Sequence, residues 1–248
     1  MNDGTQAKTD NCIERLRALR CCVIIPTYNN AGTLSAVIDE TLEYCADVIV
    51  VNDGCTDGTA QIISSFGERI RSLTQERNQG KGVALQCGMA YAQRLGFRYA
   101  ITMDSDGQHY PSDIPKFVDA IEQNPGTLLV GARNLNADGM PGKNTFANRF
   151  SNFWFRLETG VRLEDTQSGF RAYPLDKISL GSHLLTGGYE FELEMLVFTA
   201  WRGIPVKNIP VRVYYPPEGE RVSHFRPFRD FTKISILNTL LVLYCLFW

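Results

Sequence analysis

Residues 99–106 read YAITMDSD: a short apolar run, Tyr99-Ala100-Ile101-Thr102-Met103, that stops on Asp104-Ser105-Asp106. Such a run, bounded by a polar turn, predicts a strand buried on both faces. The same pattern stands twice upstream. Cys22-Val23-Ile24-Ile25-Pro26 is a β-branched run closed by proline, and Asp47-Val48-Ile49-Val50-Val51-Asn52-Asp53 ends on a carboxylate followed by Gly54. A further strand is expected over 69–74. Between these runs the spacing turns helical. Leu34, Val37, Ile38 and Leu42 share one face of a helix over 34–45, a second helix covers 59–66, and a third runs from the turn Asn78-Gln79-Gly80-Lys81-Gly82 to Leu95. This alternation predicts an α/β fold, a mostly parallel central sheet with helices on both faces.

Beyond residue 110 the rhythm loosens. Helices are expected over 114–123, 146–157 and 190–201, strands over 127–132 and 206–214, and a loop with Gly139, Pro141 and Gly142 over 135–143. The chain ends on nine apolar residues, Leu240–Trp248, preceded by Arg221, Arg226, Arg229 and Lys233 against Asp230. Basic residues before a short apolar helix suit an anionic cytoplasmic leaflet. A span needs roughly 20 apolar residues, so the expectation is a helix lying in the interface or dipping into it. The rival is a helix packed on the protein's own core or on a dimer partner. The organisation read from these features is a polar segment 1–20, one catalytic domain 21–227 and a membrane-associating tail helix 228–248.

Composition narrows the class. Hydrophobic residues at 44% and charged residues at 21% exclude wholesale disorder and a polytopic membrane protein. Lys plus Arg is 25 and Asp plus Glu is 27, so the net charge of −2 offers no global field for nucleic acid. Seven cysteines, an odd count without CxxC or zinc spacing, read as reduced thiols. Residues 1–20 hold no apolar run, so no cleaved secretion signal is expected and the catalytic surface should face the cytosol.

In an open parallel sheet, ligands collect beyond the carboxyl ends of the strands. Three clusters sit at such ends: Pro26-Thr27-Tyr28-Asn29, Asp53-Gly54 and Asp104-Ser105-Asp106. Carboxylates one residue apart reach a hard cation directly or through water, and Mg²⁺ and Mn²⁺ commonly bridge such oxygens to substrate phosphates. Gln108 adds an oxygen and His109 an outer partner. A DxD triplet is also common in acidic surface turns, and its place at the end of an apolar strand is what points to chemistry. Asp53 is a candidate acceptor for a nucleobase N–H or a turn cap, and Asp57 a turn or helix-cap residue. The glycines of 78–82 let backbone approach a ligand at a helix N-terminus, where Lys81 is a candidate for a diphosphate. The segment is neither GxxxxGK[ST] nor GxGxxG. Glu190 and Glu194 are spaced i, i+4 around Glu192. On their own they read as a solvated helix face.

Seven segments, in order, carry a resemblance: VIIPTYNN at 23–30, VVNDGCTDGT at 50–59, NQGKGVALQCG at 78–88, MDSDGQH at 103–109, GARN at 131–134, DTQSGFRAY at 165–173 and GYEFELEML at 188–196. Together they resemble glycosyltransferase family 2 with a GT-A fold, most closely its polyprenyl- or dolichyl-phosphate sugar synthase branch. The resemblance implies inverting transfer of a sugar from a UDP- or GDP-linked donor to a lipid phosphate at the cytoplasmic membrane face, assisted by Mg²⁺ or Mn²⁺. It implies Pro26, Tyr28, Asn29 and Asp53 at the nucleoside and Lys81 near the donor phosphates. Asp104 and Asp106, with Gln108, fall on the metal and diphosphate, and Arg133 near donor and acceptor phosphates. Asp165, Ser168 and Arg171 belong to the acceptor side. Arg221, Ser223, His224 and Arg226 stand in a late basic segment that reads RVSHFR here rather than the more usual arginine-then-Ser-Lys. A phosphate acceptor is already an anion and needs no strong base. The glutamates, Glu192 among them, would then orient arginines or the donor sugar. Rival readings are a hydroxyl acceptor with Glu190, Glu192 or Asp165 as base, and a non-catalytic sugar-nucleotide sensor or scaffold, against which intact Asp104, Asp106 and Lys81 argue. A nucleotidyltransferase would want an early GxGxRL-type loop, which the chain lacks.

Overall fold

The strands β1 (Cys21–Thr27), β2 (Val48–Asn52), β3 (Arg71–Thr74) and β4 (Tyr99–Thr102) pair in parallel in the order β3-β2-β1-β4. The computed structural model describes residues 3–133, 142–180, 186–215 and 227–247. Every residue of β1, β2 and β4 is buried, as their unbroken apolar runs require. Their alternate side chains sort into two cores. Val23, Ile25, Val48 and Val50 face one, under α2 (Leu34–Leu42), α3 (Thr59–Ser65) and, further along the sheet, α5 (Ile114–Gln123). Cys22, Ile24, Ile49 and Val51 face the other, under α4 (Lys81–Arg94).

The sheet continues with β6 (Arg171–Pro174), β5 (Leu128–Arg133) and β7 (Val206–Val211). β5 and β7 pair in parallel, while β6 lies antiparallel between β4 and β5. Strand β6 was not expected from the sequence. Its four residues begin with an arginine and end with a proline, so no apolar run announces it. The last strand stops at Val211, short of the expected Tyr214. Residues 134–141, most of the expected 135–143 loop, lie outside the described residues.

The polar first segment forms α1 (Asp3–Leu19), which buries Cys12 and Leu16 in the first core. Arg15 clasps Asp119 and Glu122 of α5 at 2.7 and 2.6 Å. The buried positions are a turn apart on a largely polar helix, a stripe too narrow to read as an apolar run.

The tail is α8 (Pro227–Phe247). Among the described residues no helix is long and apolar enough to cross a membrane. One face of α8 packs on the protein itself: Leu237 and Leu241 join the second core and Tyr244 stacks on Trp201 of α7 (Phe191–Trp201). Burying each leucine contributes about 1.5–3 kcal/mol. The core-packed arrangement therefore holds for that face. The adjacent face exposes Ile236, Leu240, Leu243 and Tyr244, between 46% and 56% accessible. The helix α6 (Gly142–Thr159) lies alongside. Ala147 and Ser151 of α6 line the same cleft as Lys233 and Ile234 of α8, and Cys245 Sγ sits 3.8 Å from the Glu158 carbonyl. The two helices thus leave the cleft side by side in one direction.

Candidate active site

The carboxyl ends of β1, β2 and β4 open into one cleft of about 940 Å³, closed on its other side by β5, the 166–169 loop, the 187–193 segment and the start of α8. Pro26, Tyr28, Asp53, Asp104, Asp106, Gln108, Arg133, Ser168, Arg171 and Glu192 line it, as does Lys81. Asn29 does not. Its backbone sits at φ +51°, and its side chain turns to the 55–56 turn, where Oδ1 accepts the Thr56 N–H at 2.8 Å. Its neighbour Asn30 lines the cleft and donates to Ser105 Oγ at 2.7 Å.

Asp53 is almost fully buried. Its two oxygens accept the N–H groups of Gln79 and Gly80 at 2.7 and 2.9 Å. Burial pushes its pKa up, and these two bonds pull against that shift. Asp53 therefore fastens the glycine turn beneath the cleft. A carboxylate has about four acceptor positions, so one side remains for a base N–H. Gly54 makes the approach possible: at φ +66°, a Cβ there would lie 2.3 Å from the Arg77 carbonyl carbon.

The Asp104-Ser105-Asp106 turn is braced from several sides. Thr33 Oγ1 donates to the Ser105 carbonyl at 2.6 Å, and Asp106 Oδ1 accepts the Gln108 N–H at 3.0 Å. His109 accepts the Asp104 N–H at Nδ1, 3.3 Å away, and stacks on Phe170. Burial drops the His109 pKa to about 4, with Lys81 and Arg133 reinforcing the shift against Asp104, so the imidazole is a neutral brace. Asp104 is half-buried, and desolvation opposes its ionisation, but Lys81 and Arg171 outweigh that and hold its pKa low.

Lys81, the first residue of α4, touches Asp104 Oδ1 at 2.6 Å and Glu192 Oε2 at 2.9 Å. Burial disfavours the ammonium, yet the two carboxylates raise its pKa above the usual lysine value. Lys81 thus lines the cleft with its charge already shared. Next to it, the Gly187 carbonyl accepts the Val83 N–H at 3.1 Å, so the helix terminus behind the glycine turn is partly capped by protein.

The acceptor-side residues are organised differently from the expectation. Asp165 is fully buried. It receives Arg133 Nε at 2.6 Å, Arg133 Nη2 at 3.0 Å and the Arg133 backbone N–H at 3.2 Å. Asn148 Nδ2 at 2.6 Å and the Gln167 N–H at 2.9 Å complete the set. Burial opposes its charge, but Arg133 and these bonds win and its pKa falls. Five donors saturate the carboxylate, which removes Asp165 as a general base. It aims Arg133 instead. Arg171 is also fully buried, and it donates to the carbonyls of Ser168 at 2.7 Å, Thr166 at 2.9 Å and Glu192. An arginine held on three carbonyls shapes the 166–168 loop and does not present a fork to an incoming phosphate. Ser168 is likewise buried, its Oγ accepting the Phe170 N–H at 3.3 Å.

Glu190, Glu192 and Glu194 are all buried, so the solvated-face reading is corrected. Glu192 pairs with Lys81. Glu194 accepts the Thr186 N–H at 3.1 Å. Glu190 lies 3.6 Å from Lys233 through Oε1, while its Oε2 is buried without a hydrogen bond. Lys233 and Ile234 are cleft residues that the sequence reading had assigned to the tail, and Tyr189, 5.9 Å from the Lys81 ammonium by its ring centre, is another addition. Arg221, Ser223, His224 and Arg226 lie outside the described residues.

Among the described residues no group of three or more His, Cys, Asp or Glu side chains converges as a metal cage. Two carboxylates and an amide oxygen nonetheless suit a hard cation that takes its remaining ligands from substrate phosphate and water. Asp104 already holds a cationic ammonium at 2.6 Å. The donor set fits Mg²⁺ or Mn²⁺.

Residues 22–173 match the profile described as glycosyl transferase family 2. The chain is 28% identical over 204 residues to a polyprenol monophosphomannose synthase of Mycolicibacterium smegmatis, covering 77% of this chain and 76% of that one. It is 28% identical over 213 residues to a UDP-N-acetylglucosamine–dolichyl-phosphate N-acetylglucosaminyltransferase of Methanococcus voltae, covering 78% and 85%. Its fold matches glucosyl-3-phosphoglycerate synthase of Mycobacterium tuberculosis, crystallised with Mn²⁺, UDP and glucosyl-3-phosphoglycerate. That match has a TM-score of 0.68 at 21% identity, over 96% of this chain and 83% of the other.

Proposed function

The chain belongs to glycosyltransferase family 2, and from that premise we propose that it moves a sugar from a nucleoside diphosphate to a polyprenyl phosphate at the cytoplasmic face of a membrane. The observation that carries this reading is the part of the cleft lined by Ala147 and Ser151 of α6 and by Lys233 and Ile234 of α8. These two helices run out of the cleft together and expose Phe153 and Leu157 on one and Ile236, Leu240, Leu243 and Tyr244 on the other. An apolar surface that begins at a charged cleft suits an acceptor with a phosphate head and a hydrocarbon tail. The relatives named for polyprenol monophosphomannose and dolichyl-phosphate chemistry support the same acceptor class.

The donor side follows from the strand ends. Tyr28 and Asp53 flank the nucleoside, and the diphosphate lies toward Asp104 and Asp106. Asp104, Asp106 and Gln108 would hold a divalent cation, which when bound neutralises charge on the departing nucleoside diphosphate. A phosphate oxygen of the acceptor attacks the anomeric carbon as the bond to the diphosphate oxygen breaks, inverting that carbon. The nucleophile arrives ionised, so no side chain has to take a proton. This agrees with the way Asp165 is occupied by Arg133 and Glu192 Oε2 by Lys81. Arg133, aimed by Asp165 and partly exposed to the cleft, steadies phosphate oxygens by charge-assisted hydrogen bonds.

A second reading keeps the donor and changes the acceptor to a hydroxyl. It is favoured by Glu190, whose Oε2 is buried beside the cleft without a hydrogen bond. The two readings separate in one assay: radiolabelled UDP- and GDP-sugars with Mg²⁺ or Mn²⁺, offered a polyprenyl phosphate, the matching polyprenol or a neutral glycolipid. Label passing to the phosphate alone is the expected result. Label passing only to the alcohol or the glycolipid would overturn the proposal.

A further inference from the structure

The cations around the cleft differ in how firmly they are committed. Lys81 bridges two carboxylates at 2.6 and 2.9 Å. Arg133 is clasped by Asp165 at 2.6 Å, and Arg171 is enclosed among backbone carbonyls. Lys233 stands apart. Its ammonium lies 3.6 Å from Glu190 Oε1, beyond hydrogen-bond length, and its side chain is 43% exposed. Its position along α8 is equally telling. At 100° per residue, Ile236, Leu240, Leu243 and Tyr244 follow Lys233 at i+3, i+7, i+10 and i+11, all within one stripe of the helix. Among the described residues these four are the exposed large apolar side chains of α8. The stripe is about 16 Å long and ends at Lys233, which lines the cleft.

We propose that Lys233 is a ligand of the acceptor phosphate, held over the cleft by Glu190 until the lipid head group replaces that carboxylate. The inference rests on the lipid-phosphate reading above and assigns it a residue. A hydrocarbon chain lying along the stripe brings its phosphate to this ammonium, and the loose contact with Glu190 is the one a phosphate displaces at least cost. A lysine suits the task because its three donors need no fixed plane.

The test uses the full chain with a short, water-soluble isoprenyl monophosphate of two isoprene units and no vesicles, so that attraction to a membrane plays no part. Lys233→Ala should raise the KM for this acceptor about tenfold or more, the size of a lost charge-assisted hydrogen bond. Affinity for nucleoside diphosphate with Mn²⁺, read by calorimetry, should hold. Lys233→Arg should recover most of the loss. Glu190→Gln frees the ammonium and should lower the KM for the acceptor. An unchanged KM in Lys233→Ala overturns the inference, as does an equal rise in Lys233→Ala and Glu190→Gln, which would mark the pair as a structural tie. If the unaltered protein glycosylates a hydroxyl acceptor and no isoprenyl phosphate, both the lipid-phosphate reading and this assignment fall. If it glycosylates the phosphate with the same KM in every variant, only this assignment falls.

Discussion

The two halves of the cleft are built by different rules. On the proposed donor side, Pro26, Asp53, Asp104 and Asp106 each stand at the end of a buried strand; Asp106 is braced by Gln108 and Asp104 by His109, close in sequence, and Asp53 by the glycine turn at Gln79 and Gly80. On the acceptor side, each charged group is set by a residue far away in sequence. Arg133 is aimed by Asp165 and Lys233 leans toward Glu190, while Lys81, the lysine expected near the donor phosphates, ties the two halves together from Asp104 to Glu192. Strand ends place the oxygens proposed for the diphosphate by topology alone. Positive charge in the other half is held by buried carboxylates, Asp165 for Arg133 and Glu192, shared with Asp104, for Lys81. The donor half is thus a property of the sheet, and the acceptor half a property of ion pairs laid across it.

That contrast fails if the acceptor-side ion pairs are ornamental. Asp165→Asn probes it hardest. Breaking a buried pair by removing one partner costs about 3–5 kcal/mol, because Arg133 stays behind unpaired. Urea unfolding should show a loss of that order. An Asp165→Asn protein within about 0.5 kcal/mol of the parent would show that the pair does not organise this half.

Gly169 sits where the halves meet. A Cβ at that position would lie 2.7 Å from Asp104 Oδ2 and 2.8 Å from Lys81 Nζ. Gly169→Ala should therefore push the Asp104–Lys81 pair out of place. A displacement near 1 Å in a positioned group lowers transfer by about 100-fold. Steady-state rates with circular dichroism as a fold control check this. A fully active Gly169→Ala enzyme would mean that the pair adapts without consequence.

A third effect concerns the apolar helices beyond the cleft. Glu158 of α6 is 2% exposed, and neither carboxylate oxygen has a hydrogen bond. Burial lifts its pKa from 4.5 to about 8. The folded protein therefore holds this proton more tightly than the unfolded chain does. The stability it favours is full below about pH 4.5 and is lost as pH rises toward 8, at no more than about 1.4 kcal/mol per pH unit. Glu158→Gln should match the parent near pH 5 and exceed it in melting temperature near pH 8. Parallel curves across that range would show that Glu158 reaches water in solution.

The same contrast explains what could be read beforehand. The donor half was legible because its signals are contiguous: an apolar run of four to seven residues and the carboxylate that stops it. Asn29 was misplaced by one residue, since a left-handed backbone at that position swings its side chain away and leaves Asn30 in the cleft. On the acceptor side the residue types were found but not their roles. Nothing local in Arg171-Ala172-Tyr173-Pro174 announces an antiparallel strand or an arginine facing three carbonyls. Lys233 was read with the tail because its nearness to Glu190 exists only once α8 has folded back over the cleft. The apolar stripe of α8 was visible as composition, whereas its division into a core-packed and an exposed face depends on where α6 and α7 stand.

The central claim is that Asp104 and Asp106 hold a nucleoside diphosphate through a divalent cation. Calorimetric titration of UDP and GDP into the protein, with and without Mn²⁺, compared with a folded Asp106→Asn variant, tests it most directly. Binding of one nucleotide that depends on Mn²⁺ in the parent and vanishes in Asp106→Asn is the predicted result. Metal-dependent binding of equal strength in the variant would contradict the account.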